Sequence, residues 1–146
     1  MTPSAAGYAK TPLAKKLGVK EKGTLVLLAA PAHWAVPDLP PLVQVRRRRA
    51  LRAEDRADLV VAFFTGADRL AAAGPGIARQ LGNESALWIA WPRRAGGHRS
   101  DLTDQVVRDV LLPVGVVDVK VAALDEDWSG LKFVWRREQR ANRARA

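Results

Sequence analysis

The sequence predicts one small doubly wound α/β domain with a mostly parallel sheet and a C-terminal antiparallel hairpin. Apolar segments of strand length alternate with helical or proline-rich segments, which is typical of parallel strands joined by right-handed crossovers. The last two apolar segments are separated only by the turn DEDWSG, which predicts a hairpin. We interpret residues 1–10 as a mobile segment, 11–137 as the domain and 138–146 as a basic tail.

The first part of the chain predicts one helix and two strands. In TPLAKKLG, Thr11 is a candidate cap and Gly18 ends the helix. The continuous apolar run 24–30 predicts a strand that is buried on both faces. Four prolines within 31–41 limit any helix there to about one turn. LVQVR, residues 42–46, then predicts a short second strand, and the arginines that follow leave it.

The middle of the chain predicts a strand, a helix and another strand. Residues 57–65 are rich in β-branched and aromatic side chains, which favours a strand. Asp68 is a candidate cap for the helical segment that follows, and the GPG at 74–76 predicts that this helix breaks or kinks. The apolar segment 85–92, ended by a proline, predicts the fourth strand.

The last part of the chain predicts a helix and the closing hairpin. Ser100 or Asp101 is the candidate cap of a helix whose apolar residues recur at four-residue spacing. Segments 116–126 and 131–137 predict the two hairpin strands. The tail EQRANRARA favours helix at first and is expected to fray towards its end.

Composition excludes several classes of function. The chain has no cysteine, which excludes thiol chemistry, and its two histidines are too few for a histidine-rich metal cluster. The longest apolar run, LVLLAAPA, is far shorter than the about 20 residues of a membrane-spanning helix. The N-terminus also lacks the pattern of a secretory signal. We therefore expect a soluble cytoplasmic protein that has no membrane partner.

The positive charge is concentrated in a few segments. The formal net charge is +9, and lysines or arginines dominate residues 1–23, 46–52 and 136–146, whereas residues 101–130 are acidic. Such a distribution favours anionic partners at one end of the molecule.

LGVKEKGTLVLL and ALWIAWP, together with the closing hairpin, resemble a reduced class I methyltransferase fold. In that family an element K-P-G-x-x-V-L-D-x-G-x-G receives S-adenosylmethionine. Its acid falls here on Leu28 and its two glycines on Ala30 and Ala32, while arginines 46–49 replace an acid after the second strand. Alanine resists the turn angles that glycine adopts. The resemblance therefore implies the scaffold, and the departures from the motif predict that neither S-adenosylmethionine nor another cofactor binds.

A second resemblance covers nearly the whole chain. GYAKTPLAKKLGVK, LWIAWPRR, SDLTDQVVRDV and GVVDVKVAALDEDWSGLKFVWRR resemble a family of short bacterial proteins grouped as domain of unknown function 3052. That family usually has G-Y-S-G-T-P-L, W-P-K-K and D-E-T-W-S. This chain departs from the three motifs at Ala9 and Lys10, at Arg93 and Arg94, and at Asp127. The resemblance implies a fold and motif positions, and it implies no activity.

A candidate ligand site follows from the predicted topology. Parallel strands bind ligands beyond their carboxyl ends, where the strand order reverses. This edge should gather aromatic groups, arginines and a helix N-terminus, which together suit a phosphate or carboxylate group. The candidate ligand-binding residues are His33, Trp34, Arg46, Arg47, Trp91, Arg93, Arg94 and Asp101. The alternative is that the arginines only solvate the end of the sheet while the tryptophans pack.

Other motifs give weaker indications of chemistry. His33 and His98 are candidates for a general base or simply solvated loop residues. Asp125 and Asp127 in DEDWSG suit a hard cation or an ordinary turn. Ser129 lacks the G-x-S-x-G context of a serine nucleophile. We therefore assign no catalytic residue and no metal site.

Three functions from different classes remain open. The first is a non-enzymatic module that binds an anionic ligand or a macromolecular partner on its basic side. The second is an enzyme, a diverged transferase that uses the same edge of the sheet. The third is a nonspecific nucleic-acid binder whose phosphate contacts weaken with salt. Because the cofactor motif is lost while scaffold and charge remain, the sequence favours the first function.

Overall fold

A computed structural model describes residues 11–145. The predicted mobile segment 1–10 lies outside the described residues. Six strands are present: β1 (Thr24–Leu28), β2 (Gln44–Arg48), β3 (Leu59–Phe63), β4 (Ala86–Pro92), β5 (Val116–Ala123) and β6 (Trp128–Trp135). The helices are α1 (Leu13–Leu17), α2 (Ala67–Gln80), α3 (Asp104–Leu111) and α4 (Arg137–Arg145).

The strands form one mixed sheet in the order β2-β1-β3-β4-β6-β5. Strands β1 to β4 are mutually parallel, and β6 pairs antiparallel with both β4 and β5. The parallel strands β2, β1, β3 and β4 occupy the places of strands 2, 1, 4 and 5 in the doubly wound order 3-2-1-4-5. Strand 3, the outermost strand of that order, has no counterpart among the described residues. The predicted fold class, a mostly parallel sheet with a C-terminal antiparallel hairpin, is confirmed.

The central strands are apolar throughout because each of their faces contributes to a different core. In β1, Val26 and Leu28 belong to a cluster under α2 and α3, whereas Leu25 and Leu27 belong to a cluster on the opposite face. Alternate residues of a strand point to opposite faces, so a strand covered on both sides has no polar positions. The second cluster is covered by α1 and by the proline-rich segment 30–43, which we call the connector.

Helix α2 continues through its proline, so the predicted break at GPG is wrong. Pro75 lies inside the helix, and Gly74 is buried at its contact with α3. A Cβ at Gly74 would lie 3.0 Å from Leu70 Cδ1 and 3.5 Å from Leu111 Cδ2. The glycine thus permits close approach of the two helices, and packing against α3 offsets the backbone hydrogen bond that the proline removes.

Gly18 ends α1 as predicted, but the predicted N-terminal caps are wrong, because these caps come from neighbouring residues or distant segments. Helix α1 begins after Pro12 rather than Thr11. Helix α2 begins after Gly66 rather than at Asp68, and Asp101 Oδ1 accepts a 2.8 Å hydrogen bond from the Ala67 amide. Helix α3 begins after Thr103, whose hydroxyl accepts a hydrogen bond from the Val106 amide.

Several predicted strand boundaries shift. Strand β2 begins at Gln44, so three of the four consecutive arginines lie inside it instead of leaving it. Strand β6 begins at Trp128, inside the predicted turn. Helix α4 extends to Arg145, whereas the sequence predicted fraying towards the end of the tail. Within residues 11–145, no helix is long and apolar enough to cross a membrane.

Candidate functional site

The strand order reverses between β1 and β3, and a basic groove lies beyond the carboxyl ends of these strands. The groove encloses about 730 Å³. We call it the basic groove, and its main lining residues are Ala29, Ala30, Ala32, Arg47, Arg48, Arg49 and Arg69. An adjoining cavity of about 300 Å³ shares Ala29, Arg49 and Arg69 with it and has apolar walls that include Phe64 and Ile77. The two spaces therefore adjoin each other at Ala29, Arg49 and Arg69.

Successive arginines of β2 lie on opposite faces of the sheet and make different contacts within the protein. Arg48 donates to both carboxylate oxygens of Asp55, at 3.1 and 3.4 Å, and Arg46 lies 4.0 Å from the same carboxylate. On the other face, Arg47 donates to the backbone oxygens of Pro31 and Trp34 and so holds the connector against the sheet. The predicted ligand residues Arg46 and Arg47 are therefore engaged in contacts within the protein.

Asp55 is the buried counter-ion of this arginine strand, with only 3% of its surface exposed. Burial of the carboxyl raises its pKa, but the hydrogen bonds from Arg48 and the Arg52 amide, with the charges of Arg48 and Arg46, outweigh that effect. The net result is a pKa below the usual aspartate value.

We expect Asp55 to make the stability of the protein sensitive to acid. A carboxyl whose pKa is lower in the folded state stabilises the fold fully above its unfolded pKa, and this contribution is lost as the pH falls through the folded pKa. Urea unfolding measured from neutral to acid pH should therefore show wild-type stability falling faster than that of Asp55→Asn. At neutral pH the variant should be the less stable protein, because Arg48 loses its partner. Glu54→Gln, at the exposed neighbouring residue, should keep the wild-type profile; a parallel pH profile for Asp55→Asn would contradict the prediction.

Arg49 and Arg69 are the two arginines of the basic groove that remain available. Both are exposed, and neither makes a hydrogen bond or ion pair with another described residue. Ala29 lines the groove with them and adopts the left-handed conformation with φ 56°, although alanine resists it. The turn after β1 thus forms without a glycine, and Arg49 and Arg69 line the same groove.

The other predicted ligand residues lie at a second groove, of about 570 Å³, beyond β4. Trp91, Arg93 and Arg94 line it. Arg93 is occupied, because its amide donates to Asp127 O at 2.8 Å and its guanidinium to Asp125 O at 3.1 Å. The structure therefore places these three residues apart from the basic groove and does not gather the predicted residues into one pocket.

Three predicted site residues have other surroundings. Trp34 belongs to the connector, and its side chain is buried beneath it, packed against Phe63. His33 is exposed on the connector and makes no hydrogen bond with any residue between 11 and 145. Asp101 caps α2 rather than opening α3, so the predicted helix N-terminus at Asp101 is wrong.

The acids of DEDWSG stabilise the turn between β5 and β6. Asp125 Oδ1 accepts from the amides of Asp127 and Trp128, each at 2.8 Å, and its Oδ2 accepts from the Trp34 indole at 3.0 Å. Asp127 pairs with His98 Nε2 at 2.9 Å. In the part of the chain that the structure describes, no group of three or more His, Cys, Asp or Glu side chains could hold a metal ion.

Sequence reasoning missed Arg69 and did not single out Arg49 from its arginine run. Arg69 lies in the first turn of the helix that follows β3. Because the carboxyl ends of parallel strands share one edge, a charged residue in that turn faces the same edge as the residues after β1 and β2. This spacing was the available signal for Arg69. Arg49 differs from the other groove arginines of its run in making no hydrogen bond or ion pair with another described residue, and no sequence pattern shows that difference.

No protein-family model matches the chain, and no curated protein matches it in sequence. Membership of domain of unknown function 3052 therefore stays a prediction. Solved structures do match.

The chain is similar to a fibrillarin pre-rRNA processing protein from Methanococcus jannaschii, with a TM-score of 0.55 and 14% identity over 84% of this chain and 73% of that one. It is similar to a SAM-dependent methyltransferase from Aquifex aeolicus, with a TM-score of 0.55 and 12% identity over 91% and 98%. A protein of the NAD-binding Rossmann superfamily from Streptococcus agalactiae has a TM-score of 0.54 and 11% identity over 84% and 67%. At this identity the likeness shows the fold alone, which is a Rossmann-like, methyltransferase-like scaffold.

Proposed function

We propose that this protein is a non-enzymatic, methyltransferase-like scaffold that binds an anionic ligand in the basic groove. The observation that carries the proposal is the pair of free guanidinium groups, Arg49 and Arg69, beside the turn at Ala29. They lie at the reversal of strand order, which is where doubly wound sheets bind their ligands.

The chemistry of the groove favours an anion. Guanidinium groups bind phosphate and carboxylate oxygens through paired hydrogen bonds. The other two guanidinium groups of the groove are neutralised or occupied, Arg48 by Asp55 and Arg47 by backbone oxygens. Arg49 and Arg69 therefore supply the charge, and the adjoining apolar cavity has room for a small organic body attached to the anionic group.

The main alternative is a diverged transferase that binds S-adenosylmethionine at the same edge. That cofactor carries a positively charged sulfonium centre and an ammonium group besides its carboxylate. At this edge Leu28 stands at the position of the family's acid and arginines occupy the end of β2, so neither position offers a carboxylate for those positive charges. The same features support an anionic ligand.

Calorimetric titration with pyrophosphate and with S-adenosylmethionine tests the proposal. We expect pyrophosphate to bind at low salt. The double variant Arg49→Gln/Arg69→Gln should lose at least about a hundredfold in affinity, since it removes at least two hydrogen bonds from charged groups that each contribute about 1.5–3 kcal/mol. Variants at Arg47 or Arg93 are unsuitable, because those side chains hold the connector and the β5–β6 turn.

The matched control is Arg79→Gln/Arg137→Gln, which removes the same charge from exposed positions outside the groove. It should bind pyrophosphate like the wild type. Equal losses in both double variants would overturn the site, and so would tight binding of S-adenosylmethionine. Stronger binding of a short DNA duplex, with equal affinity in the Arg49→Gln/Arg69→Gln variant, would overturn it in favour of nonspecific nucleic-acid binding.

A further inference from the structure

A second cavity lies at the opposite end of the sheet, beside the amino ends of β1, β3 and β4. It encloses about 490 Å³, which is in the range of small-molecule sites. Gly18, Lys20 and Lys132 line one side of it, and Thr24, Ala86 and Val134 are among the residues that line the rest. This cavity shares no lining residue with the basic groove, so a role for it is independent of the proposed function.

Lys132 occupies an unusual position in the sheet. It lies on β6 in register with Trp88 on β4 and directly opposite Lys120 on β5. Like charges directly opposite each other are unfavourable in antiparallel pairs. Lys120 turns away and donates to the backbone oxygen of Lys16, at the end of α1, at 2.9 Å.

The Lys132 amine has no partner of its own. Its Nζ lies against Gly18, where a Cβ would be only 2.9 Å away. Among residues 11–145 it makes no hydrogen bond and no ion pair. The side chain is half-buried and extends from a central strand, so its amine is held at one wall of the cavity.

We propose that Lys132 is a nucleophilic amine, and that the cavity beside it admits a small anionic aldehyde or ketone that this amine captures as an imine. In that reaction the neutral amine adds its electron pair to the carbonyl carbon. The carbinolamine then loses water, which carries away the carbonyl oxygen and the two amine hydrogens as the C=N bond forms. No oxidant or reductant is needed.

The surroundings of Lys132 support both parts of this proposal. Burial, followed by the charges of Lys120 and Lys20, lowers the pKa of Lys132, so more of the amine is neutral than in an exposed lysine. Lys20 and Lys120 place further positive charge near the Lys132 amine, which favours an anionic substrate.

Three acids, Glu21, Asp58 and Glu84, line the same cavity. Asp58 accepts the Thr24 amide at 2.8 Å, and Glu84 lies 3.8 Å from Arg140 Nη1. Glu21 is exposed, and none of the three acids forms an ion pair with Lys132.

Labelling with pyridoxal 5′-phosphate, followed by borohydride reduction and peptide mass mapping, tests the proposal on the full chain. Reduction converts an imine into a stable secondary amine at the lysine that formed it. We expect the label at Lys132 to exceed that at every exposed lysine, although Lys132 is less accessible. Inorganic phosphate should compete with this labelling, and pyridoxal, which lacks the phosphate, should label Lys132 more slowly.

Two variants complete the test. Lys132→Arg keeps the charge and should lose the rapid labelling, whereas Lys15→Arg, at an exposed position on α1, should keep it. Label distributed according to exposure, without an excess at Lys132, would overturn the nucleophile. Equal labelling by pyridoxal and its phosphate would overturn the anionic substrate. Both readouts come from the wild-type protein, so they hold even if Lys132→Arg does not fold.

Discussion

Replacing Trp88 with alanine is expected to lower the free energy of unfolding by about 3–5 kcal/mol, the usual cost of removing a large buried aromatic side chain. Trp88 is completely buried at the centre of β4. Gly130 on the neighbouring strand makes room for its ring, because a Cβ there would lie 2.8 Å from Trp88 Cε3. The indole Nε1 also donates to Leu17 O at 3.0 Å and fixes the end of α1 on the sheet.

Trp88→Phe separates the two contributions of this residue. Phenylalanine keeps most of the apolar volume but leaves Leu17 O without its donor, which costs about 1–3 kcal/mol when the oxygen stays buried. Urea unfolding of the two variants measures the contribution of the ring volume and that of the hydrogen bond to the free energy of unfolding. If Trp88→Phe were as unstable as Trp88→Ala, the hydrogen bond to α1 and not the ring volume would dominate.

Replacing Trp34 with alanine is expected to cost a similar amount, about 3–5 kcal/mol, and also to release the connector. Trp34 is 4% exposed, packs edge-on against Phe63 with ring centroids 4.8 Å apart, and donates to Asp125 Oδ2 at 3.0 Å. It is the large aromatic side chain by which the connector enters the core beneath the basic groove.

Hydrogen exchange with mass spectrometry should detect this release. In Trp34→Ala the amides of residues 30–43 should exchange faster than in the wild type, while those of β3 and β4 stay protected after allowance for the lower global stability. Trp34→Phe keeps a ring against Phe63 and loses only the bond to Asp125, so its connector should stay close to the wild type. Unchanged exchange over 30–43 in Trp34→Ala would show that other contacts hold the connector.

The strands of this protein could be predicted closely because their signal is local. A strand with one exposed face alternates apolar and polar residues. The continuous apolar run 24–30 therefore indicates a strand that is covered on both faces. The departures from the methyltransferase cofactor motif that the sequence resembles, Leu28, Ala30 and Ala32, are also read directly from the chain.

The candidate site could be predicted only in outline. The sequence indicated an arginine-rich edge, but three of the four arginines it singled out, Arg46, Arg47 and Arg93, make contacts within the protein. Arg49 differs from Arg46, Arg47 and Arg48 in making no hydrogen bond or ion pair with another described residue. That difference depends on where Asp55 and the connector lie in space, and no local spacing encodes it.

The sequence by itself determined the order of strands and helices, the double burial of the central strands and the concentration of positive charge. These properties follow from periodicity and composition over a few consecutive residues. Only the three-dimensional structure shows that α2 continues through Pro75, that Asp101 caps a helix 34 residues earlier, and that Arg49 and Arg69 make no hydrogen bond or ion pair with another described residue. Each of these depends on how segments distant in the chain are placed relative to one another, which local sequence does not encode.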